Sequence, residues 1–98
     1  METGITIRNN EQLMRFEAQQ GDDIRYLEYR FYKKNIALMH TLVPESMEGK
    51  GFASALAAYA FNYAKENKKP VMVYCPFVAT YIKRHPEVKE QLDKEYYR

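Results

Sequence analysis

Gly49 and Gly51 flank Lys50, and a long alanine-rich run follows them. That spacing suits an anion. The first turn of a helix carries main-chain N–H groups with no intrahelical partner, and the helix dipole places partial positive charge there. Glycines let a phosphate approach the backbone closely, and Lys50 adds a full charge. An ordinary turn before a helix has the same composition, so both readings stand. The loop is not a P-loop: G-x-x-x-x-G-K-S/T is absent, and no Asp or Glu stands in an obvious magnesium position. Three further side chains carry possible chemistry. Cys75 is the chain's one cysteine. A free thiol titrates at about pH 8.5 and can act as an acid or a nucleophile, although cysteine also packs well in cores. His40 suits a base or a satisfied residue of a core strand. Tyr81 can donate a proton, or pack, as one of nine tyrosines. His85 precedes Pro86 and reads as a helix N-cap. Lys83 and Arg84 read as phosphate contacts or as a solvated basic patch.

The elements that must position these residues follow from periodicity. Residues 5–8 alternate apolar and polar and read as a strand, closed by a turn at Asn9 and Asn10. Residues 13–19 fit a half-buried strand or one to two helical turns. The strand is preferred, because Gln20, Gly21, Asp22 and Asp23 form a turn cluster with another strand pattern behind it. In residues 24–32, Leu27, Tyr29 and Phe31 share one face and Glu28, Arg30 and Tyr32 the other. Lys33, Lys34 and Asn35 form the next turn. Residues 36–43 are apolar on both faces, as an interior strand requires. Strict alternation puts His40 on the face of Ile36, Leu38 and Leu42. The expected helix over residues 52–65 buries Ala53, Leu56, Ala57, Ala60 and Ala64, with Phe61 beside them. Pro70 bars its continuation. Residues 71–75 form a second apolar strand, which a right-handed crossover would lay parallel to residues 36–43. Residues 77–83 read as a short helix with Val78, Tyr81 and Ile82 inward. A final helix runs from Pro86 to about residue 94.

The expected fold is therefore α/β (α+β), a mixed sheet in which an antiparallel N-terminal meander joins one βαβ unit, with C-terminal helices. Parallel pairing of the last two strands would bring the Gly49 loop and Cys75 to one sheet edge, the place where open α/β sheets bind ligands. Residues 1–98 read as one domain, and a hydrophobic share of 46% suffices for one core. A net charge of +2, from 15 basic and 13 acidic residues, is too small to imply nucleic acid. No apolar run reaches membrane-span length and no signal-peptide pattern opens the chain, so a cytoplasmic location is expected. One cysteine excludes an internal disulfide and argues against structural zinc.

Strand, G-x-G, long helix and strand together resemble the cofactor core of the GNAT superfamily of N-acetyltransferases. His40, Thr41, Leu42, Val43 and Pro44, then Gly49, Lys50 and Gly51, then Cys75, Pro76 and Phe77, then Tyr81, Ile82, Lys83, Arg84, His85 and Pro86 resemble the small single-domain GNAT-like proteins in order and spacing. The resemblance implies acetyl-CoA as cosubstrate and no metal. It implies that the backbone at Leu42 and Val43 pairs with the pantetheine arm. It implies that the amides of Gly49, Lys50, Gly51, Phe52 and Ala53 hold the pyrophosphate. Ser46 stands where the superfamily pattern has Gln or Arg, which leaves Lys50 and the backbone as phosphate ligands. The resemblance also implies a missing set of N-terminal helices on the acceptor side, which favours an exposed acceptor such as a protein or peptide amine.

Acetyl transfer to an amine needs a placed thioester, a donor for the oxyanion and a route for two protons. Cys75, His40 and Tyr81 are the candidates for the last. The first hypothesis is an N-acetyltransferase working by direct attack in a ternary complex, with a variant that routes acetyl through Cys75. The second is an acyl-CoA-binding sensor or carrier with little catalysis. The third is an RNA- or protein-interaction domain that has lost the cofactor. Expected partners are acetyl-CoA and an amine, without nucleic acid or membrane, in a monomer or weak homodimer.

Overall fold

The computed structural model describes residues 6–42 and 52–93. Among these, five strands form one sheet in chain order: β1 (Thr6–Asn10), β2 (Arg15–Gln20), β3 (Asp23–Tyr32), β4 (Asn35–Leu42) and β5 (Val71–Val73). The first four pair antiparallel, and β5 runs parallel to β4. Helix α1 (Phe52–Glu66) stands between β4 and β5 in the chain, and α2 (Pro76–Arg84) and a 3-10 helix (Pro86–Gln91) follow. The expected meander joined to a βαβ unit is present, and the ambiguous residues 13–19 supply a strand.

Short polar turns set the register. Gln20 pairs with Asp23 across Gly21 and Asp22. Gly21 has φ +61°, the positive value that a two-residue hairpin needs and glycine reaches without strain. Lys33, in the corresponding turn between Tyr32 and Asn35, adopts φ 56° without being glycine. The first turn differs from expectation. Asn9 and Asn10 are paired in the β1–β2 ladder, and the turn lies at residues 11–14. Asn10 still organises it, because its Oδ1 accepts the Leu13 N–H at 3.2 Å.

One sheet face packs under α1. Phe16, Leu27, Tyr29, Ile36 and Leu38 are buried there with Leu56, Ala60, Phe61 and Ala64 of the helix. The alanines let the helix lie close, and Tyr59 and Tyr63 set their rings 5.3 Å from Phe16 at either side. Val78, Ile82 and Val88 from the later helices enter the same core.

Two C-terminal expectations are corrected. Strand β5 stops at Val73, rather than running to Cys75, because Cys75 is the N-cap of α2 and Pro76 opens that helix. The segment from Pro86 is a 3-10 helix ending at Gln91, not a helix to residue 94. Leu92 bridges Val71 in parallel, and the Asp93 N–H donates to the Val71 carbonyl at 2.9 Å. That pairing requires extended backbone and ends the helical turn.

Candidate functional site

The β4–β5 ladder ends before β4 does. It pairs Ile36, Ala37 and Leu38 with Val71, Met72 and Val73. A bond of 2.9 Å from the Tyr74 N–H to the Leu38 carbonyl follows it. Strand β4 continues through residues 39–42, paired on its other side with β3. Strand β4 also carries a bulge on its β3 side. Tyr29 pairs with Leu38 and Glu28 pairs with His40, so Met39 has no opposite residue on β3. A bulge bends its strand and increases its twist. Past Leu38 the ladder to β5 stops, which leaves a gap in main-chain pairing beside β4 at the same end of the sheet as Cys75.

The bulge also reverses the side-chain alternation expected over residues 36–43. Leu38 shares the core face with Tyr29, and Thr41 shares it with Leu27. His40 pairs with Glu28 on the opposite face and is exposed. The expectation that His40 lies among Ile36 and Leu38 is therefore corrected. Thr41 takes the inward position. It is 8% exposed, and its Oγ1 lies 2.8 Å from the Sγ of Cys75, itself 1% exposed. Either atom can donate. A buried thiol thus meets a buried hydroxyl where the β4–β5 ladder ends. Sequence reasoning did not single out Thr41, and no pattern in the apolar run marks where the phase changes.

Cys75 occupies the N-cap position of α2. Tyr81 lies six residues further on, about 9 Å along the axis at 1.5 Å per residue. Its ring stacks between Phe61, at 5.9 Å, and His85, at 4.3 Å. Burial, aided by the charge of Glu87, raises the Tyr81 phenol above its ordinary value, so it stays protonated at neutral pH. His85 occupies the expected cap position but makes no side-chain capping bond. Instead it stacks on Tyr81 and sets Nδ1 3.6 Å from Glu87.

Helix α1 begins at Phe52 and has no acidic residue in its first turn, which leaves the N–H groups of Phe52 and Ala53 at a positive helix end. Leu42 closes β4. Val43, Gly49, Lys50 and Gly51 lie outside the described residues. A surface cleft of about 370 Å³, rimmed by Lys65, Lys68, Lys69 and Glu90, lies at the amino end of β5, remote from Cys75. Among the described residues no cluster of three or more His, Cys, Asp or Glu could hold a metal. Nor is any described helix long and apolar enough to cross a membrane.

A second polar cluster occupies the face of the sheet opposite α1. Glu17 is 3% exposed. Its Oε1 accepts from Arg8 Nε at 3.0 Å, and its Oε2 accepts from Arg15 Nε at 2.7 Å and Asn10 Nδ2 at 3.1 Å. Burial pushes its carboxyl up, but hydrogen bonds from Arg15 and Asn10 and the charges of Arg15 and Arg8 outweigh it and hold it below the ordinary value. Arg15 also lies over the Tyr26 ring, 4.3 Å from its centroid.

A mixed five-stranded sheet, an antiparallel meander joined to one parallel βαβ unit, is consistent with the α/β fold of the family that the comparison finds. Residues 15–92 match the model described as GCN5-related N-acetyl-transferase, and the chain belongs to that family. Similar proteins include Protein NATD1 of Xenopus tropicalis, 33% identical over 54 residues, covering 55% of this chain and 50% of that protein. Protein NATD1 of Mus musculus is 28% identical over 85 residues, covering 84% of this chain and 77% of that protein. The chain thus spans about half the length of the Xenopus relative that it matches.

Proposed function

We propose that the chain is an acetyl-CoA-dependent N-acetyltransferase acting on a protein or peptide amine. The observation that carries the reading is the gap beside β4. Main-chain groups of residues 39–42 extend past the last β4–β5 bond, next to Cys75. An extended pantetheine arm fits such an edge by strand-like pairing through Leu42 and Val43. The α1 N-terminus, with Phe52 and Ala53 behind Gly49, Lys50 and Gly51, suits the pyrophosphate. In the reaction the amine nitrogen bonds to the thioester carbon, the C–S bond breaks, the nitrogen loses a proton and the CoA sulfur gains one. Thr41 orients the Cys75 thiol to donate to the leaving sulfur. The Tyr81 phenol, kept protonated, is the other donor for that step. His40, on the opposite face, accepts the proton from the amine. Neither step requires an acetyl-enzyme.

Calorimetric titration with acetyl-CoA and with CoA, repeated on Gly51→Glu, tests the reading. Binding that is lost in the variant supports it. No binding by the native chain at near-millimolar ligand overturns it. One observation favours a second reading, an acyl-CoA sensor or carrier: the Cys75 thiol is buried against Thr41, and His40 faces away from it. That reading predicts CoA binding with no turnover on any amine.

A further inference from the structure

We propose that the sheet face opposite α1 docks the acidic flank of the amine acceptor, an inference that rests on the acetyltransferase reading and names its substrate class. Leu56, Ala60, Phe61 and Ala64 of α1, Val78 and Ile82 of α2 and Val88 of the 3-10 helix enter the core with Phe16. On the other face, Arg8, Glu17 and Tyr26 form one cross-strand row, and Asn10, Arg15, Glu28 and His40 form the next.

Arg8 of the first row and Arg15 of the second form a preorganised pair of forks around Glu17. Glu17 uses both carboxylate oxygens on three donors and is buried beneath them, so a ligand meets the arginines rather than the carboxylate. It holds Arg8 and Arg15 by their Nε atoms, which leaves terminal N–H groups of both for other acceptors. Arg8 commits one further N–H to Gln19 at 3.0 Å, and Tyr26 braces the plane of Arg15. The Arg8 side chain is 50% exposed and that of Arg15 is 26% exposed, so both remain within reach of solvent. Two guanidinium groups sharing one buried carboxylate leave a net positive charge. Held forks of this kind recognise carboxylates with little ordering cost.

The second row has the opposite sense. Glu28 lies between Arg15 and His40, so negative charge stands where a cationic amine would approach β4. A peptide crossing the strands would set its acidic residues over Arg8 and Arg15 and its amine at Glu28 and His40. Two strand spacings separate Arg15 from His40, about 10 Å, or roughly three residues of extended chain. The acceptor therefore carries acidic residues about three to five positions from the acetylated amine.

The test uses peptides of equal length whose amine is flanked by glutamates, serines or lysines, each carrying a dye. Binding is read by fluorescence anisotropy without acetyl-CoA, and turnover separately with it. The native chain should prefer the glutamate peptide over the serine peptide by about five- to tenfold, with the preference falling as salt rises. The triple variant Arg8→Gln, Glu17→Gln, Arg15→Gln removes the forks without stranding a buried charge. It should lose the preference and raise KM for the glutamate peptide with kcat unchanged. Arg8→Lys with Arg15→Lys keeps the charge but not the fork, and should retain part of the preference. No charge preference in the native chain, or a preference surviving in the triple variant, overturns the proposal. So does displacement of the glutamate peptide by single-stranded RNA at lower concentration than by unlabelled peptide. Charge-selective binding without acetylation of any peptide would remove the acetyltransferase reading and leave the docking surface standing. Acetylation without charge selectivity would do the reverse.

Discussion

Replacing Glu17 by glutamine probes the anchor of that outer face. The carboxylate accepts three hydrogen bonds, from Arg8 at 3.0 Å, Asn10 at 3.1 Å and Arg15 at 2.7 Å. Glutamine retains one acceptor oxygen. Turned toward Arg15 and Asn10, it sets its N–H groups against the Arg8 Nε–H. Turned the other way, it opposes two donors. At least one charge-assisted bond is lost either way. Such bonds contribute about 1.5–3 kcal/mol, and water restores part of the loss at the half-exposed Arg8. The expected destabilisation is about 2 kcal/mol, a Tm decrease of roughly 8–16 °C for a domain of this size. The pH dependence supplies a second readout. The Glu17 carboxyl lies below its ordinary value of 4.5 in the native state. Its stabilisation is therefore complete above that value and fades as pH falls through the lower native one. Thermal melts followed by circular dichroism should show a wide gap between native and variant at neutral pH that narrows on acidification toward about pH 3. Equal Tm values at neutral pH, or a gap that stays constant on acidification, would refute the reasoning.

Other perturbations give separate checks. Thr41→Val removes the hydroxyl beside Cys75 while keeping the volume. It should cost about 1 kcal/mol in urea denaturation and lower kcat more than it changes KM, with Thr41→Ser restoring most of the rate. Cys75→Ser should abolish any acetyl-enzyme seen by intact-protein mass spectrometry yet spare much of the direct transfer. Deleting Met39 removes the residue without a partner and with it the bulge. Acetyl-CoA affinity should fall at least about tenfold by calorimetry while the far-ultraviolet spectrum is kept. At Gly21 an added Cβ meets nothing within 4 Å, but φ is +61°, so Gly21→Ala should cost about 1 kcal/mol from backbone strain alone.

The sheet was legible because its turns are chemically marked and its first three strands alternate cleanly. Gly21 and the Lys33–Lys34 pair fell in two-residue hairpins, and Leu27 and Tyr29 faced inward as their spacing indicates. The parallel pairing of β5 with β4, and Cys75 at the shared edge, followed from two apolar runs separated by a helix. The site was less legible. A run that is apolar on both faces carries no phase, so nothing in it announces the skipped residue at Met39. That one displacement turned His40 outward and Thr41 inward. The 3-10 character after Pro86 depended on Leu92 reaching Val71, a contact between residues distant in the chain. Burial of Glu17 depended on Arg8, from the neighbouring strand, and on Asn10. Alternation places those side chains on one face but does not reveal that they close over it.

The skipped residue at Met39 acts on side-chain direction much as a frameshift acts on a message: everything beyond it is read from the other side. Leu38 and Thr41 stand an odd number of places apart, yet both look inward. Neighbours on any strand face opposite ways; the skipped residue decides that of this pair Thr41 turns to the core and His40 turns out. One inserted residue thus decides which side chain meets the buried Cys75 thiol and which meets solvent.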